Sequence, residues 1–167
     1  MTMKRLWKPW LYLVGIALLF NSCKKDPLPK PTQEGLNTFG CKINGEVWIP
    51  TGTSGPGGTK PTLAILKQDG TFRISANSPQ QLFDMNIPKV GSIKVGEYIL
   101  GTTSDSFGYF NDGSTSFLTD RTHLGKVTIT FFDSNKQIIS GTFQFQAKDR
   151  NSEKVIEISD GRFDITY

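Results

Sequence analysis

From residue 37 onward, apolar and polar side chains alternate along the chain with a period of two. Val127, Ile129 and Phe131 alternate with Thr128 and Thr130, and Ile139, Gly141, Phe143, Phe145 and Ala147 alternate with Ser140, Thr142, Gln144 and Gln146. Successive side chains of a strand point to opposite faces, so each segment predicts a strand with one dry and one wet face. Asp133-Ser134-Asn135-Lys136 between them predicts a hairpin turn. The same device recurs at Asn44-Gly45 between Phe39 to Ile43 and Val47 to Ile49, and at Asp69-Gly70 between Leu63 to Leu66 and Phe72 to Ala76. It recurs again at Ser159-Asp160-Gly161, between Val155 to Ile158 and the alternating Phe163, Ile165 and Tyr167. Shorter candidate strands lie at Leu82 to Ile87, Tyr98 to Leu100, Tyr109 to Phe110 and Phe117 to Leu118. No stretch carries apolar residues at helical spacing free of Gly, Pro or β-branched clusters, and no segment repeats at a fixed period. The pattern predicts an all-β domain over 37–167, an antiparallel β-sandwich or flattened barrel of about nine or ten short strands.

The N-terminus has a different pattern. Met1 to Trp10 carries Lys4, Arg5 and Lys8 with no acid, and Leu11 to Phe20 is an uninterrupted apolar run that ends at Asn21, Ser22 and Cys23. A basic start, an apolar run and small polar residues are the layout of an export signal, predicted here over 1–22. The run is about half of the roughly 20 residues a spanning helix needs. Leu19-Phe20-Asn21-Ser22-Cys23 resembles the lipobox of bacterial lipoproteins. The resemblance implies cleavage before Cys23 and acyl chains on that residue, each contributing about 0.8 kcal/mol per buried methylene to membrane anchoring. A soluble secreted protein cut nearby is the alternative.

Residues 23–36 follow as a lipidated cysteine and a spacer with Pro27, Pro29 and Pro31 in five positions. This composition predicts a polyproline-like tether, about 3.1 Å per residue, that would hold the domain up to roughly 40 Å from the headgroups. Cys23-Lys24-Lys25-Asp26 with a Pro-rich spacer resembles the start of many lipoproteins from the Bacteroidetes group. Lys24 stands where an aspartate retains lipoproteins in the inner membrane of enteric bacteria, which implies the outer membrane, on its periplasmic or cell-surface face.

The resemblance extends through most of the domain. Phe39-x4-Asn44-Gly45-x2-Trp48-x-Pro50, Gly96-x-Tyr98-x-Leu100, Gly125 to Thr130, Ile139-Ser140-Gly141-Thr142-Phe143-x-Phe145 and Asp160-Gly161-Arg162-Phe163 together are similar to small all-β Bacteroidetes lipoproteins without an assigned activity. This implies an all-β lipoprotein and transfers no catalytic residue.

Charge changes the picture only by its position. The 167 residues hold 19 Lys+Arg against 15 Asp+Glu, a formal net charge of +4. Lys4, Arg5 and Lys8 lie in the predicted signal, so the mature chain is near neutral and a nucleic-acid partner is not expected. Two cysteines exclude a disulfide scaffold.

Candidate chemistry is sparse. His123 is the only histidine, reads as an exposed loop residue, and has no serine elbow or paired cysteine to serve as a base. Cys41 lies in a predicted strand and reads as a small buried hydrophobe. Gly52 to Lys60 is glycine-rich but leads into a strand rather than a phosphate-binding helix, and reads as a hairpin connection. Glu46, Asp84, Glu97, Glu157 and Asp164 lie on or beside strands, where a hydrolytic pair would need about 5 to 9 Å separation across a cleft. Asp105-Ser106 and Asn111-Asp112-Gly113 hold oxygen ligands without calcium-loop spacing. No catalytic, cofactor or metal residue is therefore assigned, and no enzyme is expected. A binding surface is expected in Gly101 to Phe117, where Phe107, Tyr109, Phe110 and Phe117 stand among Gly, Ser, Asn and Asp as possible ligand-contact aromatics. Alternatively, Phe107 and Tyr109 share the inward face of a short strand. Two functions follow: a non-enzymatic membrane-anchored binding or structural module that takes a glycan or an envelope protein, or an envelope hydrolase acting on glycan or peptide.

Overall fold

A computed structural model describes residues 26–88 and 93–167. The predicted signal and Cys23 lie outside the described residues. The described chain is all-β, with eleven strands: β1 (Thr38–Ile43), β2 (Glu46–Trp48), β3 (Thr62–Leu66), β4 (Phe72–Ser78), β5 (Gln81–Ile87), β6 (Gly96–Leu100), β7 (Phe107–Asn111), β8 (Ser116–Leu118), β9 (Gly125–Asp133), β10 (Ile138–Asp149) and β11 (Val155–Thr166). All pairings are antiparallel.

The strands form one sheet in the order β2-β1-β11-β10-β8-β7-β5-β4-β3, with β9 paired to β10 and β6 paired to β9. The long β10 is the branch point. Its first part, Ile138 to Phe145, pairs with β9, and its end, Lys148 and Asp149, pairs with β8. The sheet therefore folds over along β10 into two layers, β2-β1-β11-β10-β9-β6 and β3-β4-β5-β7-β8. Bulges between Ser140 and Gly141 and between Phe143 and Phe145 sit on the same strand, where an extra residue bends the chain and increases its twist.

Aromatic rings fill the space between the layers. Phe83 of β5 lies 5.0 Å from Phe39 of β1 and 5.2 and 5.5 Å from Phe143 and Phe145 of β10, ring centre to ring centre. Trp48 of β2 stacks on Phe83 at 5.9 Å, and Phe72 of β4 meets Tyr167 edge-on at 5.0 Å. These tilted and edge-on arrangements are the favoured geometry of aromatic pairs. Cys41, Ile74, Met85, Val127, Ile129 and Ile165 complete a core that excludes solvent.

Two local expectations change. Ser159-Asp160-Gly161 is not a turn: β11 runs on through it, and Asp160, at φ 52°, marks a bulge against both neighbours. Left-handed φ followed by Gly is common to turns and bulges, and the choice is made by β1 and β10, which flank β11 on both sides. Gly52 to Lys60 joins strands at the two ends of the sheet order, so it crosses between the layers rather than closing a hairpin. The Asn44-Gly45 turn is as expected, with φ of 50° and 86°, the pair of left-handed residues a tight hairpin requires.

Candidate functional site

Each layer has an outer face, and on the β3-β4-β5-β7-β8 layer that face is partly roofed. Phe83, Met85 and Ile87 of β5 point into the core, so Leu82, Asp84 and Asn86 point outward. Asp84 and Asn86 are nevertheless buried, at 3% and 2% exposure. Loops from remote parts of the chain meet here: residues 101–104 after β6, 119–121 after β8, and Arg150 after β10 wall the face around Asp84, and the Asp105 carbonyl lies on Asn86. Beneath these loops lies a cavity of about 680 Å³, in the size range of small-molecule sites.

The register aligns its floor. Asp84 stands opposite Tyr109 of β7, and Tyr109 opposite Leu118 of β8. Phe107, two residues before Tyr109, lies on the same face, as does Leu82. Both aromatics are half-buried, with one side against the sheet and the other toward the cavity. The Tyr109 hydroxyl lies 3.0 Å from Ser116 Oγ, which also accepts from Asn111 Nδ2 at 2.9 Å.

Asp84 is neutralised in place. Arg73 Nε and Nη2 donate to its two oxygens at 3.1 and 2.5 Å, and the Ser75 hydroxyl adds a short hydrogen bond. A carboxylate without water is held by this forked guanidinium geometry. In return it raises the Arg73 pKa above its ordinary value. The loop over the sheet is fixed by Asn86, whose Nδ2 donates to the Asp105 carbonyl at 2.5 Å while its Oδ1 accepts from Lys67 Nζ at 2.9 Å. The second wall is held by Asp120. Its carboxylate accepts from the Thr122 hydroxyl and from the Thr122 and His123 amides, each at 2.7 Å. Those bonds, the Thr122 hydroxyl foremost, hold its carboxyl well below the usual range. His123 Nδ1 lies 3.0 Å from the same carboxylate, so the ring is half-buried beside it rather than open to solvent.

The four sequence-predicted aromatics separate into two pairs. Phe107 and Tyr109 line the cavity. Phe110 and Phe117 do not: at 3% and 1% exposure they are core, Phe110 against Trp48 at 5.7 Å, and they are withdrawn as ligand contacts. Strand alternation is the reason, since Phe110 follows Tyr109 and must face the opposite way. The reading in which Phe107 and Tyr109 face inward is overturned by the same alternation.

Thr102, Thr103 and Ser104, inside the expected 101–117 surface though not singled out there, and Thr119, Arg121 and Arg150, which the sequence reasoning missed, supply hydroxyls and guanidinium groups around the apolar floor. Among the described residues Arg73 and Arg162 are ion-paired, whereas Arg121 and Arg150 carry no ion pair. The two arginines belong to loops 29 positions apart that meet because β8 pairs with the end of β10, a juxtaposition without a local sequence signal. Asp84 did leave one: an acid inside the apolar run Leu82 to Ile87.

The other buried carboxylate, Asp164, lies on the outer face of the opposite layer and shares no cleft with Asp84. No group of three or more His, Cys, Asp or Glu able to hold a metal ion occurs among the described residues. Cys41 is buried and unpaired, and burial pushes its thiol up to about 12.

No curated protein and no solved structure matches the chain. Residues 39–165, from the first core strand through the last, match the family described as a domain of unknown function (DUF6252), to which the chain therefore belongs.

Proposed function

We propose that this protein is a lipoprotein anchored in the outer membrane through acyl chains on Cys23, and that its β domain is a non-enzymatic module that binds glycan in the Phe107–Tyr109 cavity. The observation that carries this reading is the cavity itself: two half-buried aromatic rings in one row, fringed by the hydroxyls of Thr102, Thr103, Ser104 and Thr119. Sugar rings have an apolar face that stacks on such rings and an equator of hydroxyls that exchanges hydrogen bonds with such a fringe. Arg121 and Arg150 at the rim favour a saccharide that carries a carboxylate. The anchoring part of the proposal is supported by the basic, apolar and cysteine-terminated layout of residues 1–23 and by its resemblance to Bacteroidetes lipoproteins.

The hydrolase reading is less well supported, although Asp84 and Asp120 both border the cavity. General acid catalysis needs a carboxyl that stays protonated near neutral pH. Asp120 is held in the opposite direction by Thr122 and His123. Asp84 is tied up by geometry instead, its two oxygens engaged by Arg73 and Ser75 rather than turned to a substrate.

A panel of neutral and acidic glycans and of envelope proteins, probed with the wild-type protein and with Tyr109→Ala, tests the proposal. Binding of an acidic glycan that is lost in Tyr109→Ala is expected. Turnover of a glycan would replace the binding reading by the hydrolase, and capture of an envelope protein alone would reassign the ligand class.

A further inference from the structure

The Pro-rich segment ahead of the domain is not held away from it. Residues 26–36 form a strap along the outer face of the β2-β1-β11-β10-β9-β6 layer, the face opposite the cavity. Asp164 of β11 is the clamp. Its carboxylate accepts from the Thr32 hydroxyl at 2.6 Å, from the amides of Gly35, Glu34 and Leu36 at 2.8, 3.1 and 3.2 Å, and from the Ser140 hydroxyl at 2.7 Å. Arg162, two residues earlier on the same face, donates to the Pro29 carbonyl at 3.0 Å and to Asp26 at 2.7 Å. Leu28 is buried to 4% exposure. Gly40 of β1 allows this approach, because a Cβ there would stand 2.7 Å from Pro29 Cδ.

The strap therefore shortens the leash. From Cys23 to Asp26, the first residue of the strap described, a chain spans at most roughly 10 Å at full extension, instead of the roughly 40 Å expected of a free spacer. The cavity lies on the far side of two sheets packed about 10 Å apart, with side chains beyond each of them. A leash of that length, leaving from the strap face, does not let the cavity face reach the bilayer.

We propose that the strap orients the domain on the membrane, with the outer face of β1, β11, β10 and β9 against the lipid headgroups and the Phe107–Tyr109 cavity opening away from the bilayer. This rests on acylation of Cys23. The anchored protein presents its site to ligands arriving from solution or from the opposite surface, and not to lipids of its own leaflet.

The test uses the full-length acylated protein in phosphatidylethanolamine vesicles that contain a nitroxide-headgroup lipid as a short-range quencher. A fluorophore is attached at Gln144→Cys, exposed on the strap face, or at Ser104→Cys, on the cavity rim. Burial keeps Cys41 from competing for the label. At least several-fold stronger quenching at position 144 than at position 104 is expected. Asp164→Ala or, without touching the carboxylate, Gly40→Ala releases the strap and brings the two positions to similar quenching. Equal quenching in the vesicle-bound wild-type protein, or stronger quenching at position 104, overturns the orientation and leaves the anchoring intact. Wild-type protein that does not associate with vesicles, or Cys23→Ser protein that stays in the membrane fraction of cells, overturns the anchoring and the orientation with it.

Discussion

Replacing Asp164 by Ala removes one acceptor that serves five donors, three of them backbone amides of the strap. The cost follows from what each donor does next. Ser140 is 1% exposed, and its hydroxyl left without a partner costs about 1 to 3 kcal/mol. The strap has two options. If it stays, its amides and the Thr32 hydroxyl lose an ionised acceptor; if it lifts, they regain water and Leu28 is exposed, which costs about 1.5 to 3 kcal/mol. The cheaper route sets the total at about 3 to 5 kcal/mol. Asp164→Asn keeps the shape but turns a donor toward donors, and about half that loss is expected; Thr32→Ala removes one bond and costs about 1 kcal/mol. Urea unfolding of the protein from Asp26 onward measures the loss. Hydrogen exchange at Gly35 and Leu36 separates strap release, which deprotects the strap amides and not those of the core strands, from global destabilisation. A loss below about 1 kcal/mol in Asp164→Ala, with both amides still protected, would refute the assignment of Asp164 as the clamp.

Three further outcomes are expected. Burial pushes the Asp164 carboxyl up, but the hydroxyls of Thr32 and Ser140 and the amides of Gly35 and Leu36 outweigh it and hold the pKa below its ordinary 3.8. A depressed carboxyl stabilises above its unfolded pKa and loses that contribution as pH falls through the folded one, so strap protection, corrected for intrinsic exchange rates, is constant near neutrality and declines only below about pH 4. Tyr109→Ala abolishes glycan binding with a stability change near or below 1 kcal/mol, whereas Phe117→Ala costs about 3 to 5 kcal/mol in thermal or urea unfolding; the reverse ranking contradicts their placement at the cavity and in the core. Cys41 reacts with a thiol reagent at neutral pH only at the rate of unfolding, because its pKa is raised to about 12, and rapid labelling of the folded protein contradicts its burial.

Legibility in the sequence followed how local the determining contact is. The strands β9 and β10 and the Asn44-Gly45 hairpin were readable because alternation and turn chemistry act within a few residues. Phe107 and Tyr109 were readable as candidates, but alternation alone does not say which face is inside, and so Phe110 and Phe117 entered the same list. The core face of β7 is set by Phe110 meeting Trp48 and Phe83, from β2 and β5. The bulge at Asp160 passed for a turn because its conformation suits either, and only the strands on both sides of β11 distinguish them.

The amino-acid sequence by itself determined an all-β chain, the position of most strands and the apolar positions that fill the core, since the two-residue period is a property of each strand alone. Tertiary structure decided what covers the outer faces. Asn86 is covered by a loop 19 residues on in the chain, whose Asp105 carbonyl it holds. Asp84 is held by Arg73 and Ser75 of the neighbouring strand at the floor of the cavity that remote loops wall, and Asp164 is buried because a strap 129 residues away folds onto it. A polar residue on a strand's second face is read as solvated unless something remote covers it, and no local pattern encodes that cover. The cavity and the strap, on opposite sides of the sandwich, are both made in this way.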